Sequence, residues 1–570
     1  MEAELILLNG HITTLDRDNS EVSAAAVRDG RFLAVGADAE AMNFKGNGTQ
    51  VIDLRGRRII PGLNDSHIHV IREGLNYNME LRWDGVPSLA DALRMLREQA
   101  RRTPPPQWVR VVGGWSEFQF AERRMPTLEE INEAAPDTPV FILHLYDRAF
   151  LNRAALRSLG YTKDTPEFPG GEIERDRHGN PTGLLIARPN AAILYATLAK
   201  GPKLSYEDQL NSTRYFMREL NQLGVTSVID AGGGFQNYPE DYRVIEDLAK
   251  RGELTLRFAY NLFTQHPKAE LDDFRPWVSM TEPGRGDDYF RMNGAGEMLV
   301  FSGADFEDFL EPRPNLPPEM ESELRAVVTL LVENRWPFRL HATYDESITR
   351  FLDVFEQINR EVPFNSLRWF FDHAETISDR NLERVKALGG GIAIQDRMAF
   401  QGEHFLKRYG AEAARHSPPV ERMLAMGVPV GAGTDATRVA SYNPWVSLYW
   451  LVTGRTAGGT QLSNRLDRTE ALRLYTLGSA WFSGEEEKKG SIEAGKLADF
   501  SALSEDYFAV SDERIKDLQS DLTIVGGRIV HGSGDFAAMG PPELPVSPDW
   551  SPVKIYHGYY RTGRSYERAA

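Results

Sequence analysis

The chain of 570 residues contains no cysteine. Disulfides, zinc-thiolate sites and a cysteine nucleophile are therefore excluded, and any metal must be held by His, Asp, Glu or a modified Lys. An uninterrupted apolar run of about 18 residues is also missing, and Met1 to Gly10 has no basic stretch leading into a long apolar one. This predicts no membrane partner and a cytoplasmic location. Positive charge is in deficit: 65 Lys and Arg against 82 Asp and Glu leave a formal net charge of -17. A phosphate backbone is bound by basic excess, so nucleic acid is not an expected partner and a small-molecule substrate is.

The first sixty residues read as short strands with hairpin turns at Asn9-Gly10 and Asp29-Gly30. A similar β-rich unit lies near the other end, where Phe500 to Leu503, Leu522 to Val525 and Arg528 to Val530 surround Gly526-Gly527. Strands from the two ends are expected to pair, giving one composite unit from residues 1–58 and 485–535. Between them the pattern becomes short apolar strands followed by helical periods, the α/β signature of a parallel sheet. Eight strands are predicted: Ile59 to Leu63, Thr226 to Ile229, Leu256 to Tyr260, Phe290 to Asn293, Phe338 to Leu340, Arg368 to Phe371, Gly391 to Ile394 and Val428 to Gly431. Eight is the number that closes a (β/α)8 TIM barrel, here spanning residues 59–484. The long gap after the first strand predicts an insertion at about 75–205 over the barrel mouth. Residues 536–570 read as a C-terminal arm whose Trp550, Tyr556, Tyr559 and Tyr560 pack on the body or on another subunit, a homo-oligomer in the second case.

The chemistry-bearing residues fall at predicted strand ends. His67 and His69, two apart in extended backbone, point to one side as a chelating pair does. His341 and His373 each follow a later apolar strand directly, and Asp435 follows the eighth. Carboxyl ends of barrel strands converge on one mouth, where barrel chemistry sits. Neutral imidazoles with a carboxylate suit a divalent metal and leave a position for water, whose pKa the metal lowers towards about 7. Asp435 can ligate and also carry the water's proton to a leaving amine; His373 can ligate or orient the water and oxyanion. His11, His178, His266, His404, His416 and His557 lie in polar segments and read as surface residues.

With these residues in place the chain resembles the amidohydrolase superfamily, in its family-3 branch of YtcJ-like and N-substituted formamide deformylase-like proteins. The matching motifs are Pro61 to His69, Gly113-Gly114-Trp115, His341 to Asp345, His373-Ala374-Glu375, Gly433-Thr434-Asp435 with Asn443-Pro444, and Lys489 to Gly495. The resemblance implies a (β/α)8 barrel with a β-sandwich built from both termini, and hydrolysis of C-N bonds other than peptide bonds, such as an amide, formamide or carbamate. It implies metal ligands at His67, His69, His341, His373 and Asp435. Many relatives carry a carboxylated lysine at the fourth strand, and here Arg291 stands where it is expected. Arginine forms no stable bridging carbamate and repels a second cation. The expectation is therefore one metal on His67, His69, His341 and Asp435 with His373 beside it, zinc first and iron or manganese next. The rival is a bridge formed by Glu297.

A hydrolytic deaminase of a heterocyclic amine is the nearest alternative. His341-Ala342-Thr343-Tyr344-Asp345 lacks the His-x-x-Glu those enzymes use, which favours the amide reading. A ligand-binding barrel without catalysis is the third reading. Trp115, Arg291, Glu297 and Asp345 are candidate substrate contacts, and Trp115, Phe118, Tyr344 and Trp445 hint at an N-aryl or otherwise hydrophobic amide. For Trp115, Phe118 and Phe120, core packing of the insertion is the competing reading. Ala231 to Gly234 could cradle an anion but, lacking the helix signature of a nucleotide loop, reads as a sharp turn near the site; Gly389 to Gly391 reads as the same kind of turn, and Glu485 to Lys489 as a solvated face.

Overall fold

The computed structural model describes residues 1–561 except 169, 189–190, 234–235, 306–308, 310–312, 314 and 464. Eight parallel strands run in chain order: β1 (Leu63–Ile68), β2 (Val225–Asp230), β3 (Arg257–Leu262), β4 (Phe290–Ala295), β5 (Phe338–Ala342), β6 (Trp369–His373), β7 (Gly391–Gln395) and β8 (Val430–Gly433). Each pairs with its sequence neighbour. The last meets the first where Asp435 N donates to His67 O at 2.8 Å and His69 N to Ala436 O at 3.0 Å. The sheet is thus closed at the end that carries the candidate ligands. Helices such as Asp345–Glu361 cover the outside, so most strand residues are buried on both faces and read as apolar runs without alternation.

The first predicted strand needs correction. Arg58–Pro61 belongs to another sheet, pairing with Phe500–Leu503 and His11–Thr13, and the barrel begins only at Leu63. Gly62 is the crossing point. A Cβ there would lie 2.1 Å from Thr226 Oγ1 of β2, so a larger residue would push the two strands apart. One apolar run serves two sheets, and local pattern carries no mark of the switch.

Strands from both ends form the terminal sandwich. A six-stranded sheet orders Arg528–Gly532, Ser520–Val525, Phe500–Leu503, Arg58–Pro61, His11–Thr13 and Glu21–Val22. A four-stranded sheet holds Arg31–Gly36, Ala24–Arg28, Leu5–Leu8 and Gln50–Asp53. Leu5, Leu7 and Ile52 of the smaller sheet share one core with Ile12, Phe500 and Ile524 of the larger.

Between β1 and β2 the chain builds a five-stranded mixed sheet, Gly171–Arg175, Pro181–Ala187, Arg148–Leu151, Val140–His144 and Val109–Val112 in spatial order. Gly113 seats this layer on the barrel mouth. It has φ +78°, and a Cβ would fall 2.1 Å from the carbonyl oxygen of Arg438 in the loop after β8. Gly113→Ala is expected to cost at least about 2 kcal/mol, because it adds left-handed strain to a clash with backbone. Urea unfolding of the two proteins measures this; equal midpoints and slopes would show that the seat gives way freely.

The arm packs on its own chain: Tyr556 Oη donates to Glu98 Oε2 at 2.5 Å and Tyr560 N to Asp84 O at 2.9 Å. Among the described residues no helix is long and apolar enough to cross a membrane.

Candidate active site

His67 lies near the end of β1 and His69 directly follows it, and both are buried. Asp65 holds their backbone by accepting from His67 N (3.0 Å), Thr434 N (3.1 Å) and Thr434 Oγ1 (2.7 Å), which ties β1 to the loop after β8. Each imidazole uses Nδ1 outward. His67 Nδ1 lies 2.9 Å from Asp372 Oδ1 and 2.7 Å from Arg339 Nη2, and Asp372 in turn accepts from Arg339 Nε at 2.7 Å. His69 Nδ1 donates to the Gly232 carbonyl. Both Nε2 atoms turn inward, toward Glu297 and Asp435, the disposition of metal-binding histidines.

Glu297, two residues past β4, lies in the middle. Its Oε2 is 3.4 Å from His67 Nε2, 3.7 Å from His341 Nδ1 and 3.6 Å from His373 Nε2, while Oε1 is 3.6 Å from His69 Nε2. Asp435 Oδ1 stands 3.1 Å from His69 Nε2 and 3.3 Å from His67 Nε2. His341 is oriented from behind, its Nε2 lying 3.3 Å from Thr343 Oγ1 and 3.5 Å from Asp305 Oδ1. The donor atoms form overlapping groups: His67, His69 and Glu297; His67, His373 and Asp435; and Glu297, His341 and His373. His67 Nε2 and Glu297 Oε2 are buried without a hydrogen-bond partner. Such a concentration of inward electron pairs is costly unless a cation sits among them, so the residues fit a divalent metal.

Burial opposes ionisation of Glu297 and Asp435, yet the positive field of His67 and the closeness of the other imidazoles hold both carboxyls well below the usual range. His373 (φ +79°) and Asp435 (φ +52°) both have left-handed backbones, uncommon for residues other than glycine. Strain of about 1–3 kcal/mol at each is retained where the aim of a side chain matters more than stability.

The structure brings together all five expected ligands and Glu297, but not the other expected contacts. Arg291 is the second residue of β4, at the opposite end from the mouth, where Nη1 pairs with Glu485 Oε1 at 3.1 Å and Nη2 donates to Ser483 O at 2.9 Å. Arg291 therefore neither replaces a bridging lysine nor repels a second cation, and the premise for one metal falls. Asp345 accepts from Ser378 N and Asn381 Nδ2, both at 2.7 Å, pinning adjacent loops. Trp115 is fully buried, donates to Leu143 O at 2.9 Å and stacks on Phe120, so it is core of the insertion. Trp445 is core too, and Asn443 caps its helix through Trp445 N at 3.1 Å. Phe118 is half-buried, edge-on to His404 with ring centroids 5.1 Å apart. Of the glycine loop after β2, Gly232 turns the chain at φ +83°, and Gly234 lies outside the described residues. Glu485 and Lys489 are not a solvated face: both are buried and pair at 2.7 Å.

Sequence reasoning missed the supporting carboxylates Asp65, Asp305 and Asp372. Asp372 adjoins His373, and a doublet of this kind at a strand end is a usable signal. A second group was also missed. His144 of the insertion sits between Asp147 (Nδ1 to Oδ1, 2.7 Å) and Glu117 (Nε2 to Oε2, 2.9 Å), and Glu117 reaches His404 on the helix after β7 at 3.2 Å. His404 is thus a tether between insertion and barrel, not a surface residue. Burial resists protonation of His144, but Asp147 and Glu117 raise its pKa from 6.5 to about 9. The charged form stabilises the fold in full below about pH 6.5, and the contribution is lost as pH rises through about 9. The stability gap between the unaltered protein and His144→Gln is expected to shrink by an amount on the order of 3 kcal/mol from pH 6 to pH 9.5. Parallel denaturation profiles over that range would remove the charged cluster from the stability of the fold.

Comparison with known proteins gives the family and the fold. N-substituted formamide deformylase of Arthrobacter pascens is 26% identical over 545 residues, 92% of this chain and 97% of that protein. Among solved structures, a metal-dependent hydrolase from Pyrococcus furiosus superposes with a TM-score of 0.63 at 23% identity, covering 88% of this chain and 99% of that one. Atrazine chlorohydrolase TrzN from Arthrobacter aurescens TC1, solved with zinc, gives 0.52 at 15% identity over 93% and 95%. Residues 50–531 match the model of the amidohydrolase family, to which the chain belongs.

Proposed function

We propose that this amidohydrolase cleaves a non-peptide C-N bond of an amide, formamide or carbamate, using two adjacent divalent cations. The observation that carries the proposal is Glu297, whose carboxylate faces His67 and His69 on one side and His341 and His373 on the other. In this reading His67, His69 and Asp435 would hold one cation and His341 and His373 the other, with Glu297 available as a ligand to either. Cations there would acidify a water and polarise the scissile carbonyl. Zinc suits the imidazole-rich set, with iron or manganese as alternatives; the zinc in the TrzN structure supports that order.

Asp435 accepts the proton of the attacking water and returns it to the leaving nitrogen. Its carboxylate is buried, ionised and aimed by the loop that also closes the barrel. A ring-protonating acid at the deaminase position is absent, since residue 344 is Tyr and the Asp345 carboxylate is engaged by Ser378 and Asn381. The test is an assay of metal-loaded protein on N-substituted formamides, carbamates, cyclic ureas and heterocyclic amines. Release of an amine from the first groups is the expected result. Ammonia release from heterocyclic amines alone would overturn the reading in favour of deamination.

A further inference from the structure

Arg72 lies one helical turn past His69, and Arg438 three residues past Asp435. Both are more than nine-tenths buried. Among the described residues neither guanidinium forms an ion pair or a side-chain hydrogen bond, and Arg72 Nη2 is buried without a partner. The two cations share one ring instead: Cζ of Arg438 is 4.7 Å and Cζ of Arg72 5.8 Å from the centre of Tyr195. Burial and the charge of Arg72 lower the pKa of Arg438, while the fields of Tyr195, Tyr146, Asp435 and Asp230 hold that of Arg72 above the usual range. Two like charges brought together out of water without a direct ion pair carry a cost that an anionic ligand would offset.

They line a cleft of about 110 Å³ together with Arg110, Lys203, Gln236 and Tyr195. Neither acid on its wall forms an ion pair with the two arginines: Glu80 pairs with Arg82 at 2.9 Å while its field also reaches Arg438, and Asp241 accepts from Asn237 N at 2.8 Å. The Gln236 amide is buried with both polar atoms unpartnered. At Gly233 a Cβ would lie 3.1 Å from Arg72 Nη1, 3.2 Å from Gln236 Oε1 and 3.4 Å from His69 Nδ1. The cationic cleft therefore abuts a candidate metal ligand. Its volume corresponds to about four waters, room for a carboxylate and a short stem.

We infer that Arg72 and Arg438 form a carboxylate subsite, so that the substrate is an amide bearing a carboxylate next to the scissile bond, as in an N-acyl amino acid. The guanidinium fork matches a carboxylate in shape and charge. This rests on the proposed amide hydrolysis for the turnover, but not for the binding. It also replaces the aryl preference suggested by Trp115 and Trp445, which are core residues.

Hippurate and its neutral analogue N-benzoylglycinamide differ only in the charge at this position. On metal-loaded protein, hippurate is expected to raise the melting temperature and the neutral amide to do so far less. Arg438→Met and Arg72→Met should each lower the ratio of kcat/KM for hippurate over the analogue on the order of tenfold or more, and abolish the hippurate shift. Without ligand, either variant should melt no lower than the unaltered protein, since no partner is orphaned. Arg438→Lys, which keeps charge but loses the fork, gives the same measurement if a Met variant does not fold. A hippurate shift that persists in all variants, or equal handling of both probes by the unaltered protein, overturns the subsite. A variant-sensitive shift without turnover of any amide leaves the subsite standing and removes the hydrolytic reading.

Discussion

Asp435→Asn is expected to lower kcat/KM by about three orders of magnitude on any amide the unaltered protein turns over, with the fold intact. The substitution keeps the shape of the side chain and removes its charge and proton affinity. The backbone favours the variant: at φ +52° asparagine is among the residues best tolerated, so lost packing or strain cannot account for lost activity. The Asp435 N to His67 O bond that closes the barrel is a main-chain contact and survives. Steady-state kinetics with a thermal melt as control makes the measurement. Activity within tenfold of the parent would take Asp435 out of proton transfer and leave it a replaceable ligand.

Glu297→Gln should reduce tightly bound divalent metal from two equivalents per chain to one or fewer, with a loss in kcat of at least about 100-fold. Glu297 faces all four imidazoles, and an amide presents one weaker acceptor oxygen and an NH2 group that repels a cation. Elemental analysis after gel filtration in chelator-free buffer reads the stoichiometry directly. One equivalent in both proteins would restore a single-metal centre and leave Glu297 as a buried acid beside it.

His67, His69, His341, His373 and Asp435 were legible because barrel geometry turns four distant strand ends into one place, and each of those strands carries a short apolar run that local pattern reveals. Arg291 shows the limit of the same reasoning. It belongs to the predicted fourth strand, but which end of that strand reaches the mouth depends on where β4 stops, four residues further on at Ala295. Strand boundaries are the least certain feature of sequence pattern, and an error of one turn of the pleat moves a side chain from the mouth to the floor. Asp345 and Trp115 failed differently: their motifs are real, and their work is to pin loops and fill the insertion core.

By itself, the sequence determined the barrel, the composite terminal unit, the imidazole set and the exclusion of thiolate chemistry, since all of these follow from residue type and the period of apolar residues. Tertiary structure alone decided the rest. It set Glu297 among the four imidazoles, put Arg291 on the far end of the barrel, brought His404 to Glu117 and left Arg72 and Arg438 facing one tyrosine with no direct ion pair among the described residues. The physical reason is that charge pairing is a property of distance in space: whether a buried cation is neutralised depends on segments hundreds of residues away, and no local pattern records their approach.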